Sequence, residues 1–125
     1  PISPVMKFYD KENLIELLKS TNLYVHSADA EIEAISCIEA FACGNVPIIA
    51  NSKNSATKQF ALVPESLFEA GNSTDLASKI DFWIENESYR KEMEIKYSES
   101  AENYRLKDSI KKMEEMFEDA IRECK

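Results

Sequence analysis

Leu23-Tyr24-Val25-His26-Ser27-Ala28-Asp29-Ala30-Glu31-Ile32-Glu33-Ala34-Ile35-Ser36-Cys37-Ile38-Glu39-Ala40-Phe41-Ala42-Cys43-Gly44-Asn45-Val46-Pro47-Ile48-Ile49-Ala50 is the stretch whose reading decides the fold. It opens with a short β-type run, Leu23–His26. The polar segment Ser27–Glu33 then makes a loop, and a helix over roughly Ser36–Cys43 follows. Gly44 is placed to end that helix in the left-handed conformation, which a residue without a Cβ adopts without strain. Val46–Ala50 is apolar almost throughout, as a strand covered on both faces must be. Strand, loop, helix, strand with short connections is the crossover unit of a parallel sheet.

Upstream, Val5–Phe8 reads as another extended run, and Asp10 is placed to cap a helix whose apolar stripe is Leu14, Ile15, Leu17 and Leu18. Ser20-Thr21-Asn22 breaks that helix before Leu23. Downstream, Asn51–Lys58 reads as a polar loop without periodicity, and Ser66–Ala70 as a last short strand before a turn at Gly71-Asn72. The rest is helical. Ser73 or Thr74 caps a stripe of Leu76, Ala77, Ile80, Trp83 and Ile84, with Asp75 favourable in the first turn. Tyr89, Met93, Tyr97 and Ala101 form a second stripe, and Leu106, Ile110, Met113, Phe117 and Ile121 a third. Trp83, Tyr89, Tyr97 and Phe117 read as core residues. The expected class is α/β: a doubly wound parallel sheet flanked by helices, incomplete at one edge, with helices at the C-terminal end.

With 125 residues, 44% hydrophobic and 30% charged, the chain suits one domain, residues 1–125, with a modest core. Fifteen Lys+Arg against 23 Asp+Glu leave a net charge of −8, which repels a nucleic-acid backbone, so no nucleic-acid partner is expected. No run of about 18 apolar residues exists and no signal-peptide pattern opens the chain, which leads us to expect a cytoplasmic protein. Cys37, Cys43 and Cys124 are odd in number and lack ligand spacing, so they read as free thiols and no metal is expected.

In parallel sheets ligands bind beyond the carboxyl ends of the strands, which points to the loops after His26 and Ala50. The first loop runs into a helix start, where free amides and the helix dipole favour a diphosphate without a metal. Glu39 leans back toward that start, and its two oxygens suit the vicinal diol of a ribose. Glu31 is free to reach hydroxyls on a sugar beyond the diphosphate. On the residues alone, a solvated acid near a helix start is the commoner reading of such a pair. His26 either hydrogen-bonds the same ligand or is packed. Lys53 and Lys58 read as solvated lysines rather than as charge for the site.

Leu23–Ser27, then Glu31, seven intervening residues, and Glu39–Ala50 resemble the donor-site signature of the group 1 glycosyltransferases, enzymes of GT-B architecture with two Rossmann-like domains. Phe68–Ala77 resembles the strand and capped helix that follow the donor loop in that family. The resemblance covers most of the chain and implies an incomplete Rossmann-like donor domain. It implies that Glu31 contacts the donor sugar, that Glu39 holds the ribose, and that amides around Ala34 and Ile35 meet the diphosphate, with His26 and Ser27 beside them. It also implies sugar transfer from a nucleotide diphosphate with retention, by a hexosyltransferase that needs no covalently bound cofactor. Glu33 and Ala34 stand where small or aromatic residues, and then glycine, are usual. Asn45 adds a residue between Gly44 and Pro47, and Asn51–Lys58 lacks the usual glycines.

The family's basic pair for the leaving diphosphate, and its acceptor-binding N-terminal domain, are expected in a parent chain. Catalytic residues are therefore not assigned within the 125, and the isolated chain is expected to be inactive. The resemblance also places the terminal helix against that N-terminal domain. Without it, a homodimer through the terminal helix or an open sheet edge is expected. Membrane association of the parent is left open. The competing function is a non-catalytic α/β interaction domain that docks through its C-terminal amphipathic helix. A phosphoacceptor arrangement fits less well, because Asp10 reads as a helix cap. A glycoside hydrolase fits less well too, because nothing local buries either glutamate.

Overall fold

A computed structural model describes residues 3–124. In chain order the elements are α1 (Lys11–Lys19), β1 (Leu23–His26), β2 (Ala30–Glu31), α2 (Ile35–Ala42), β3 (Val46–Asn51), β4 (Asn54–Ser55), β5 (Leu67–Glu69), α3 (Ser73–Glu85), α4 (Glu87–Ser100) and α5 (Leu106–Glu123). The main sheet has the order β1-β3-β5 and is parallel throughout, with Val25 opposite Ile48, His26 opposite Ile49 and Ala50 opposite Phe68. Because β3 is central, Val46–Ala50 is buried along its whole length. This is the α/β class that the sequence implies, a parallel sheet flanked by helices.

The helix ends follow local chemistry. Asp10 caps α1 by accepting from the Asn13 amide at 2.9 Å, a bond that also holds its carboxyl below the usual carboxylate range. Gly44 ends α2 with φ 93°, and Gly71 turns the chain after β5 with φ 81°. Asn45, fully buried, ties three elements together. Its Nδ2 donates to the carbonyls of Leu18 and Ala40, at 2.8 Å and 3.1 Å, and its Oδ1 accepts from Thr21 Oγ1 at 2.6 Å. The added residue thus fastens the ends of α1 and α2 beside the start of β3.

Cys37, Phe41, Trp83, Met93 and Tyr97 pack with β3 into one core. Tyr97 Oη donates to Ser66 Oγ at 2.8 Å and accepts from the Leu62 amide at 2.9 Å, so the buried phenol is satisfied. Burial pushes its pKa up, which these two bonds partly offset. Trp83 Nε1 donates to the Glu65 carbonyl at 3.2 Å.

Four expectations are corrected. Val5–Phe8 is not a strand: the run has no hydrogen-bonded neighbour among the described residues, and Val5, Met6 and Phe8 are exposed. The segments Ser27–Glu33 and Asn51–Lys58 are not plain loops, because β2 and β4 pair within them, Ala30 with Asn54 and Glu31 with Ser55. The cap of α3 is Asn72 rather than Ser73 or Thr74, its side chain accepting from the Asp75 amide at 3.0 Å. Phe117 is not core, for no residue of α5 is buried.

Candidate donor site

The carboxyl ends of β1 and β3 converge on one surface, and the β2–β4 pair stitches together the two loops that leave them. The Ala56 amide adds a bond to the Glu31 carbonyl at 3.0 Å. Buried Ser55 Oγ donates to Thr57 Oγ1 at 3.0 Å and accepts from the Thr57 amide at 3.2 Å, which tightens the second loop on itself. The surface is therefore built on a braced pair of loops.

Behind the first loop, α2 begins at Ile35 with Ala34 at its N-cap, a residue that has no side-chain oxygen to offer. The amides of Cys37 and Ile38 are taken by the Ala34 carbonyl, whereas those of Ile35 and Ser36 find no acceptor among the described residues. Ala34 is buried, and Ile35 and Ser36 are exposed. Two free donors at the positive end of a helix dipole make an anion-binding corner.

His26, the last residue of β1, lies next to this corner at 8% exposure. Its ring stacks on Tyr24 with centroids 6.3 Å apart, and its Nδ1 lies 3.5 Å from Tyr24 Oη, which in turn is 3.0 Å from Ser36 Oγ. Nε2 is buried and has no hydrogen-bond partner among the described residues. An unpaired buried ring nitrogen costs on the order of 1–3 kcal/mol, a cost that a ligand or water contact relieves. Burial raises the pKa of Tyr24, against the lowering effect of its bond to Ser36, so the phenol stays protonated.

Glu31 does not hang free. One oxygen accepts from the amides of Ile32 and Glu33, at 3.1 Å and 3.3 Å, so the carboxylate first shapes its own loop and keeps its second oxygen for other partners. Glu39 is exposed in the second turn of α2, on the side facing α1, where it borders a groove of about 200 Å3 with Leu14, Ile15 and Leu18. Ser27 is exposed at the mouth of the first loop, and Lys53 and Lys58 are exposed on the second. His26, Ser27, Glu31, Ala34 and Ile35 thus gather at one end of the sheet, while Glu39 lies around the flank of α2. Sequence reading missed Tyr24 and Ser36. The signal for Tyr24 was its place two residues before His26, on the same face of the strand.

A parallel sheet flanked by helices, with two free amides at its carboxyl edge beside half-buried Glu31, is a Rossmann-like arrangement, and in such sheets ligands bind at that edge. The model of the glycosyl transferases group 1 matches residues 4–103, and the chain belongs to that family. The solved catalytic domain of cholesterol-alpha-glucosyltransferase from Helicobacter pylori is similar, with a TM-score of 0.75 and 52% identity over 78% of this chain and 62% of that one. The fold is accordingly that of a GT-B glycosyltransferase domain, and the chain spans less than two thirds of that solved domain. Among curated proteins none matches the chain. Among the described residues no helix is long and apolar enough to cross a membrane, and no group of three or more His, Cys, Asp or Glu could hold a metal ion.

Proposed function

We propose that this chain is the donor-binding part of a retaining hexosyltransferase and takes a nucleotide diphosphate sugar at the start of α2. The observation that carries the reading is the uncapped α2 terminus, with the Ile35 and Ser36 amides free beside the unpaired His26 Nε2. A diphosphate supplies acceptors for all three donors, and none of them requires a metal bridge. His26 serves the diphosphate or a donor hydroxyl as its Nε2–H form, with Nδ1 held toward Tyr24 and Ser36.

Glu39 accepts from the two ribose hydroxyls along the flank of α2. Glu31, braced through one oxygen, directs the other at hydroxyls of the transferred sugar; Ser27 closes the mouth of the site. The name of the similar enzyme specifies an alpha-glucoside as product. Common nucleotide-diphospho-glucose donors already carry the α anomer, so an α product is retention. The basic pair that neutralises the departing diphosphate is assigned to an upstream segment of the parent protein and the acceptor to its acceptor-binding domain, and without them the chain alone transfers no sugar.

The direct test is a titration of nucleotide diphosphates and nucleotide diphospho-glucoses into the chain, followed by amide NMR. Shifts clustered at His26 and Glu31–Glu39 support the reading. Shifts absent there at millimolar ligand, or scattered over the surface, overturn it.

A further inference from the structure

An imidazole beside a diphosphate helps only when the nitrogen that meets it carries a proton, because a bare ring nitrogen and a phosphate oxygen are both acceptors. His26 is the single histidine of the chain. Its buried Nε2 has no partner among the described residues, and its Nδ1 has Tyr24 Oη at 3.5 Å. The bond at Nδ1 therefore decides what Nε2 offers.

Tyr24 is placed to make that decision. It stands two residues before His26 in β1, on the same face of the strand, with the two rings 26° apart in plane and their centroids 6.3 Å apart. Its hydroxyl also lies 3.0 Å from Ser36 Oγ in the first turn of α2, so one phenol bridges the end of β1 and the start of the helix. The phenol has one proton to give, and the Ser36 hydroxyl has one of its own. When Ser36 donates to Tyr24, the Tyr24 proton is directed at Nδ1 and the ring keeps its proton on Nε2. In the opposite direction Nδ1 donates to Tyr24, Tyr24 donates to Ser36, and a lone pair on Nε2 meets the occupant. Both directions make the same internal bonds, so the occupant selects between them. A sugar hydroxyl can donate or accept and is served by either; a diphosphate only accepts and is served by the first alone.

We propose that Tyr24 is a positioning residue of the donor site: its phenol donates to His26 Nδ1 in the complex and so commits Nε2–H to the diphosphate rather than to a hydroxyl of the sugar. The inference rests on the donor reading. Burial raises the Tyr24 pKa, which keeps the donated proton on the phenol at neutral pH. The 3.5 Å contact is long, as such contacts commonly are before a ligand tightens them.

The test uses the whole chain, labelled with 15N, at about pH 8. With one histidine, the ring nitrogens give a single pair of signals that distinguishes the two neutral tautomers from the imidazolium. Saturation with a nucleoside diphosphate is expected to leave His26 in the Nε2–H form, with Nδ1 at the position of a nitrogen that accepts a hydrogen bond. In Tyr24→Phe the bound Nδ1 is expected to move to the position of an unbonded nitrogen. The same variant should lower affinity about two- to tenfold, the worth of one neutral hydrogen bond, and equally for the nucleoside diphosphate and for its glucose ester. A bound ring in the Nδ1–H or imidazolium form overturns the proposal. So does a Tyr24→Phe chain with unchanged affinity or an unmoved Nδ1, or a loss confined to the sugar-bearing ligand. Wild-type chain whose Ile35 and Ser36 amides do not shift overturns the donor reading itself and this inference with it, so the two failures are distinguishable.

Discussion

Replacing Asn45 by alanine tests whether the residue inserted before β3 is what fastens α1 and α2 to the sheet. The substitution removes two donations, to Leu18 and Ala40, and one acceptance, from Thr21, at a fully buried position. Both carbonyls keep backbone donors, from Thr21 to Leu18 and from Cys43 and Asn45 to Ala40, so no orphan is created. The loss is then three net hydrogen bonds at about 0.5–1.5 kcal/mol each, or about 2–4 kcal/mol in all. At roughly 4 °C per kcal/mol for a chain of this size, the melting temperature falls by about 8–16 °C. Urea unfolding followed by circular dichroism should show the midpoint moving with the slope unchanged. Asn45→Leu separates bonding from volume: it fills the site without the bonds and should recover little. Asn45→Asp turns a carboxylate toward two carbonyls, so its deficit should exceed that of alanine at neutral pH and shrink as acid protonates it. A loss below about 1 kcal/mol for Asn45→Ala would refute the account.

In the parent enzyme, Glu39→Gln removes a charged acceptor worth about 1.5–3 kcal/mol and should weaken donor affinity roughly tenfold or more, as measured by calorimetry. Glu31→Gln keeps an oxygen for the Ile32 and Glu33 amides, so it should spare nucleoside diphosphate binding and lower turnover with the sugar donor; Glu31→Ala, which frees the loop, should damage both. Tyr97→Phe strands the Leu62 amide and Ser66 hydroxyl and should cost about 1–3 kcal/mol in denaturant unfolding. Burial pushes the Cys37 thiol up to about 12 from 9.0, so the native state holds its proton after the unfolded state releases it. That stability is complete below pH 9 and is lost between pH 9 and 12; Cys37→Ala should flatten the alkaline limb by up to one proton, about 1.4 kcal/mol per pH unit.

Most of residues 23–50 was legible because its signals are local. The observed α2 and β3 lie within one residue of the expected bounds, since Gly44 can take a positive φ and Val46–Ala50 has no polar face to show solvent. Val5–Phe8 has equally strong β character and fails, because a strand is a property of two segments and this one has no neighbour among the described residues. The two-residue pair β2–β4 was invisible for the same reason. At the start of α3, three consecutive residues can cap. Asn72 is selected because Asp75 is drawn back onto the Glu69 amide at 2.7 Å, a contact set by the turn rather than by propensity. For the site, the position of His26 at a strand end was readable, but the Tyr24–Ser36 relay behind it needed the angle between β1 and α2.

An α2 helix that brings no cap of its own makes the protein's stability a reading of what occupies its first turn. On the donor reading, the bound diphosphate is the helix's N-terminal residue in all but covalent connection. Saturation at 100 times the dissociation constant should add about 2.7 kcal/mol to unfolding. Hydrogen exchange at Ile35 and Ser36 should slow before that of any other amide in the helix. Binding and the last turn of folding are then one event, and a melting curve becomes a way to rank donors.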